Sequence, residues 1–280
     1  MNAAAVLLAL ASAATWGVAD FSGGLLSRRV PTIPVTVISQ AAGFVGLLVI
    51  LMAHGGGIAD RSFWLGILAG LGGGSGLAAF YKALSLGTMS IVSPLAACGA
   101  IVPFAVSLAT GERPGAISIG GAVLALGGAV LASLEERKAN VPDRARAVAL
   151  AVAAAVALGL FTYFLGLGSR EGSPLSTLVG ARVGSLAFLL CLAAGRRESL
   201  RIERRWVAPV AIVGLVDVSA NALFALASGH GLLALVSVLG SLYPVMTVLL
   251  AHVLLGERLT PMQIAGVGVA LAGVAALSSA

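Results

Sequence analysis

The 280 residues are 59% hydrophobic and only 10% charged, with a mean hydropathy of +1.05 and a formal net charge of +6. Soluble domains carry about 25% charged residues, so the chain lacks the polar surface of a water-soluble enzyme. Fifteen of its 17 Lys and Arg residues stand in loops between apolar runs, a membrane-topology pattern that argues against nucleic acid as partner.

A spanning helix needs about 20 mostly apolar residues. Ten runs meet that measure: 3–26, 32–53, 63–86, 88–109, 115–134, 147–168, 174–194, 206–228, 231–254 and 261–279. The first lacks the basic start of a secretory signal and continues through Trp16 to Leu26, so it is predicted to be a membrane helix. Steps of four put Ser12, Trp16 and Asp20 on one of its faces. In the third run Gly66, Gly70 and Gly74 repeat a spacing that Gly180 and Gly184 share in the seventh, which suits close helix approach. Tyr81 is placed on the pathway, and Lys82 is near enough to its helix end to snorkel.

Pro94 and Pro103 interrupt the fourth run and Pro244 the ninth, as bending points or as tolerated kinks. Cys98 and Cys191 lie in apolar segments and are expected to pack as small hydrophobes, with no disulfide framework. The sixth run holds Phe161 and Tyr163, and the seventh Arg182. In the eighth, Asp217 stands eleven residues in, near the bilayer midplane, with Asn221, Phe224 and Ser228 along the same face. His230, at a turn, and His252, near a helix end, are expected to be solvated.

The second half repeats the first. Gly111-Glu112-Arg113 matches Gly256-Glu257-Arg258, and Gly121 and Gly128 match Gly266 and Gly273, all 145 residues apart. After a one-residue slip, Gly87, Val92 and Ser93 match Gly231, Val236 and Ser237. The expected domains are 1–134 and 147–280, joined by a polar linker at 135–146. Five helices per copy is an odd count, so the second copy enters the membrane from the opposite side, giving an all-α protein of two inverted repeats. The Gly-Glu-Arg blocks read as turns, with Gly111 and Gly256 as helix stops and Pro114 and Pro261 suited to the following starts. Twelve loop Lys and Arg residues follow odd-numbered helices and three follow even-numbered ones. That bias places both termini outside a bacterial-type inner membrane.

Ala83-Leu84 through Gly87, Val92-Ser93-Pro94, Pro103 and the doubled Gly-Glu-Arg blocks with their trailing glycines resemble the ten-helix EamA-type branch of the drug/metabolite transporter superfamily. Trp16-Gly17 and Arg182 are similar to residues common in that family. The resemblance implies two EamA domains and export or exchange of small metabolites such as amino acids. The family is usually drawn with cytoplasmic termini, against the charge count here.

Charges within spans default to cavity or partner positions. Trp16, Asp20, Tyr81, Phe161, Arg182, Asp217, Asn221 and Tyr243 are therefore expected along a central pathway. Asp217 is the candidate proton carrier or binder of a cationic group, with Arg182 as counter-charge. The competing reading of Asp217 is a structural ion pair with Arg182. No phosphate loop, metal-ligand spacing or cofactor motif occurs, so the expectation is a secondary transporter without cofactor, and not an enzyme. Its partners are a small solute, with the proton as candidate coupling ion, and the lipid bilayer; a monomer is compatible with the sequence. The alternative is an intramembrane serine protease using Ser75 of Gly73-Gly74-Ser75-Gly76 with His252 as base. A membrane assembly factor without transport is a third reading.

Overall fold

The computed structural model describes residues 2–54, 58, 60–86, 92, 95–133, 144–255 and 260–279. Among these residues ten helical spans follow in order: α1 (Ala3–Ser27), α2 (Thr32–His54), α3 (Asp60–Leu86), α4 (Ile101–Ala109, entered through a 3-10 turn at Cys98–Ala100), α5 (Ala116–Ser133), α6 (Arg144–Glu171), α7 (Pro174–Gly195), α8 (Arg204–His230), α9 (Leu233–Gly240 and Tyr243–Leu255) and α10 (Pro261–Ser279). Among the described residues seven spans are long and apolar enough to cross a membrane by themselves, and the helices over Leu95–Ala109, Ala116–Ala132 and Pro261–Leu277 are shorter. No strand occurs among the described residues. Leu7, Met52, Trp64, Val123, Val253 and Leu271 face outward, as a lipid-embedded surface requires.

Local chemistry fixes the helix ends. Asn2 accepts the Ala4 amide at 3.0 Å to start α1, and Ser173 caps α7 ahead of Pro174. Thr260 and Gln263 form a reciprocal capping box, with Pro261 as first residue of α10. Gly111 ends α4 at φ +113°, a conformation only glycine adopts freely, and the Glu112 amide turns back onto the Ser107 carbonyl at 2.9 Å. The matching Gly256-Glu257-Arg258, the hinge candidate Pro94 and the linker core lie outside the described residues.

The two five-helix repeats are inverted relative to each other, and their packing comes in exchanged pairs. α1 packs on α8 as α6 packs on α3, while α2 on α8 mirrors α7 on α3. The glycines matched in the sequence join α5 to α10. A Cβ on Gly128 would stand 2.2 Å from the Ala270 amide nitrogen, and one on Gly273 would stand 2.3 Å from that of Ala125. Residues 125 and 270 are themselves one repeat apart, so the two contacts interchange under the pseudo-two-fold. Glycine also permits close approach at α3–α7, where a Cβ on Gly70 would lie 2.1 Å from the Ala181 carbonyl oxygen and one on Gly184 2.3 Å from that of Ile67.

Two of the three hinge candidates, Pro103 and Pro244, lie among the described residues. Pro103 follows the 3-10 turn inside the helical run Leu95–Ala109, and Pro244 follows the Ser241–Leu242 break in the first turn of the second α9 segment.

Candidate functional site

Where α1, α2, α3, α6, α7, α8 and α9 converge, they enclose a cavity of ≈ 80 Å³. Its lining includes seven of the residues expected there: Trp16, Asp20, Phe161, Arg182, Asp217, Asn221 and Tyr243. The helical stripe of α1 delivers Trp16 and Asp20, and that of α8 delivers Asp217 and Asn221. Ser12 and Ser228 on these faces serve the scaffold instead. The Ser12 hydroxyl donates to the Ala220 carbonyl at 2.8 Å, tying α1 to α8, and Ser228 bonds back to Phe224.

One polar network crosses the cavity wall. Arg182 Nη2 donates to Asp217 Oδ2 at 2.8 Å, and Gln40 Nε2 and Asn221 Nδ2 reach the same oxygen at 3.3 Å each. The guanidinium also bonds the Gln40 side-chain oxygen, which accepts the Ser185 hydroxyl at 2.9 Å. Trp16 Nε1 closes the chain on Asn221 Oδ1 at 2.9 Å. The side chain of Arg182 is 4% exposed and that of Asp217 17%, so the cation is sealed in the wall while the carboxylate still faces the space. All three bonds to Asp217 fall on Oδ2. Asp20 lines the same cavity with no hydrogen bond or ion pair among the described residues.

Trp16 and Phe161 give the cavity its aromatic lining, and the fully buried Phe224 packs behind Trp16. Trp16 lies 5.4 Å from Phe224 and 6.5 Å from Phe161, centroid to centroid. Gly73 makes room for Phe161, since a Cβ there would come within 2.9 Å of its ring. The break in α9 brings Tyr243 to the cavity. Its hydroxyl is buried without a partner among the described residues, as is that of Ser237. Both residues also line a smaller adjoining cavity of ≈ 40 Å³.

Tyr81 departs from expectation. Its ring is 2% exposed and does not line the cavity, because Gly23 on α1 receives it: a Cβ at Gly23 would stand 2.1 Å from the hydroxyl. The residue one turn earlier on α3, Leu77, lines the cavity instead. Gln40, Ser185 and Thr162 were missed. Gln40 is a lone amide in the apolar second run, and that solitary polar group was the available signal.

The protease alternative finds no geometric support. The Ser75 hydroxyl donates to the Leu71 carbonyl of its own helix at 2.7 Å. His252 is exposed near the end of α9, and His230 bonds the Leu226 carbonyl at 2.8 Å. Among the described residues no group of three or more His, Cys, Asp or Glu is placed to hold a metal.

Glu112, which the sequence suggested was only part of a turn, does more. Its two carboxylate oxygens accept the amides of Leu233 and Ala234 at 2.9 Å each, and it pairs with Arg170. A first-repeat carboxylate therefore caps the start of α9 in the second repeat, where the helix dipole favours negative charge.

Comparison with known proteins agrees with this architecture. The family described as the EamA-like transporter family matches twice, over residues 3–134 and 145–279. A solved crystal structure, described only as that of a protein, is 19% identical and superposes with a TM-score of 0.77, covering 100% of this chain and 98% of its own. That likeness speaks to the fold. No curated protein matches the sequence.

Proposed function

This chain belongs to the EamA-like transporter family, and on that premise we propose that it is a secondary transporter carrying a small amine-bearing metabolite, of amino-acid type, through the central cavity. The observation that carries the reading is a charge imbalance. Asp20 and Asp217 line the cavity against Arg182 alone, which leaves one formal negative charge without a counter-ion there. A charge kept inside a membrane protein is costly unless solute, water or a partner answers it. An ammonium group or a proton at Asp20 supplies the missing positive charge. When the cavity widens, the Asp217–Arg182 pair offers a carboxylate and, once uncovered, a guanidinium to the two ends of a zwitterion, and Trp16 and Phe161 receive its apolar part.

The cavity is smaller than the roughly 150 Å³ that holds a benzene ring, so the solute enters only when the repeats move apart. Such movement is the alternating access of inverted-repeat carriers. The coupling role moves from Asp217, as the sequence suggested, to Asp20, because Asp217 already has its cation.

The test is uptake of labelled amino acids and amines into liposomes containing the purified protein, with and without a pH gradient. Wild type is expected to transport at least one amine-bearing solute, and Asp20→Asn to lose the response to the gradient while remaining folded. Transport restricted to solutes without an amine would overturn the reading. So would an Asp20→Asn variant that follows the gradient as wild type does.

A further inference from the structure

Apart from the transport cavity, the molecule holds a second and larger one of ≈ 340 Å³, bounded by α2, α3, α6 and α7 and the loop after α7. It opens where α3 and α7 end and α2 begins. Lys82 stands four residues before the end of α3, and Arg196 is the C-cap of α7. At that level a membrane helix meets the headgroups. Ile33, Phe188 and Leu192 give the cavity an apolar wall, and Lys82, Arg196 and Glu198 give it a charged rim.

The rim is unbalanced. Lys82 is half-buried, yet no ion pair to it or to Arg196 occurs among the described residues, although Glu198 lines the same space. Two cations against one carboxylate leave the rim one positive charge in excess, beside a surface suited to hydrocarbon. A phosphate attached to an apolar tail satisfies both features: the guanidinium and ammonium answer the oxygens, and Phe188 and Leu192 receive the start of the tail. This end of the molecule also carries Arg28, Arg29, Arg197, Arg201, Arg204 and Arg205. Basic pockets between membrane helices on the arginine-rich side bind anionic headgroups in general.

We infer that this second cavity is a binding site for the phosphate headgroup of an anionic phospholipid, held by Lys82 and Arg196. The inference does not depend on which solute is transported. Thermal unfolding of the purified protein in detergent tests it, with phosphatidylglycerol, phosphatidylcholine or inorganic phosphate added at equal concentration. Phosphatidylglycerol is expected to raise the midpoint of wild type by several degrees, and the other two to leave it unchanged. K82Q/R196Q is expected to lose the shift. R201Q/R204Q removes the same charge from exposed positions outside the cavity and is expected to keep it. Lys82→Arg, which preserves the charge, guards against a folding defect and is also expected to keep it. An equal shift in K82Q/R196Q, or in wild type with phosphatidylcholine, would overturn the site. A shift with inorganic phosphate alone would overturn the lipid as its ligand.

Discussion

Arg182 on α7 and Asp217 on α8 meet at 2.8 Å inside the membrane-embedded core, with the guanidinium sealed and the carboxylate still open to the cavity. Both belong to the second repeat. Gln40 supplies the bridge from the first repeat, accepting from Arg182 while donating to Asp217. The pair is thus a load-sharing element of the fold as well as a wall of the site.

Those two roles separate experimentally. Arg182→Ala leaves Asp217 without its cation, a change that costs about 3–5 kcal/mol for a buried pair, read as a lowered unfolding midpoint. The double variant Arg182→Met/Asp217→Leu removes both charges and is expected to recover most of that loss, since apolar replacement of a buried pair is often neutral. Its transport is expected to be absent. A double variant that transports as well as wild type would reduce the pair to a structural role.

The glycine contacts between α5 and α10 give a second expectation. Gly128→Val drives a side chain into the backbone at Ala270, whereas a Cβ at the neighbouring Gly127 has nothing within 4 Å. Overpacking costs roughly 1–3 kcal/mol, so Gly128→Val is expected to unfold at a clearly lower temperature while Gly127→Val stays near wild type. Equal midpoints for the two variants would remove close approach as the reason for glycine here.

The same contrast explains what was legible in the sequence. Features set by one helix could be read directly: the apolar runs, the glycine register, and the i, i+4 stripes that deliver Trp16 with Asp20 and Asp217 with Asn221. Features set by a neighbouring helix could not. Gln40 and Ser185 are single polar residues in apolar runs, and they gain meaning only when α2 and α7 lie side by side. Tyr81 has the chemistry of a cavity residue, but the gap at Gly23 draws it toward α1. Glu112 sits in a turn predicted from Gly111 and Pro114, and its partners on α9 are more than a hundred residues away in sequence.

Glu112 supplies a third test. Removing its carboxylate frees the amides of Leu233 and Ala234 and leaves Arg170 without its acid. An unsatisfied donor costs about 1–3 kcal/mol, so Glu112→Ala is expected to lower the unfolding midpoint and speed hydrogen exchange at those two amides. Glu112→Gln keeps one acceptor oxygen and is expected to fall between. Unchanged exchange in Glu112→Ala would show that the cap contributes nothing.

Tyr243→Phe is a fourth test, chosen because its hydroxyl is buried without a partner among the described residues. Deleting such a group removes a desolvation penalty, so stability is expected to stay level or rise by about 1 kcal/mol. Transport is expected to fall, because a hydroxyl kept at that cost is explained if the solute engages it when the cavity widens. Full transport in Tyr243→Phe would assign the hydroxyl no part in the pathway.

Orientation is the last expectation, and it decides which leaflet the second cavity faces. Lys and Arg retained on the cytoplasmic side set membrane topology, and the basic loops here follow odd-numbered helices by twelve to three. Ten spans put both termini on one side, so the charge bias predicts that both are external. A phosphatase fused after Ala280 is then expected to be active, and a fluorescent protein at the same position to stay dark on the external side. Arg196 and Lys82 would in that case face the cytoplasmic leaflet, where anionic lipid gives the membrane its negative surface potential. A fluorescent fusion together with a silent phosphatase would reverse the orientation and turn the second cavity toward the outer leaflet. The charge bias would then need another cause, and the excess positive charge beside Lys82 is the first place to look for it.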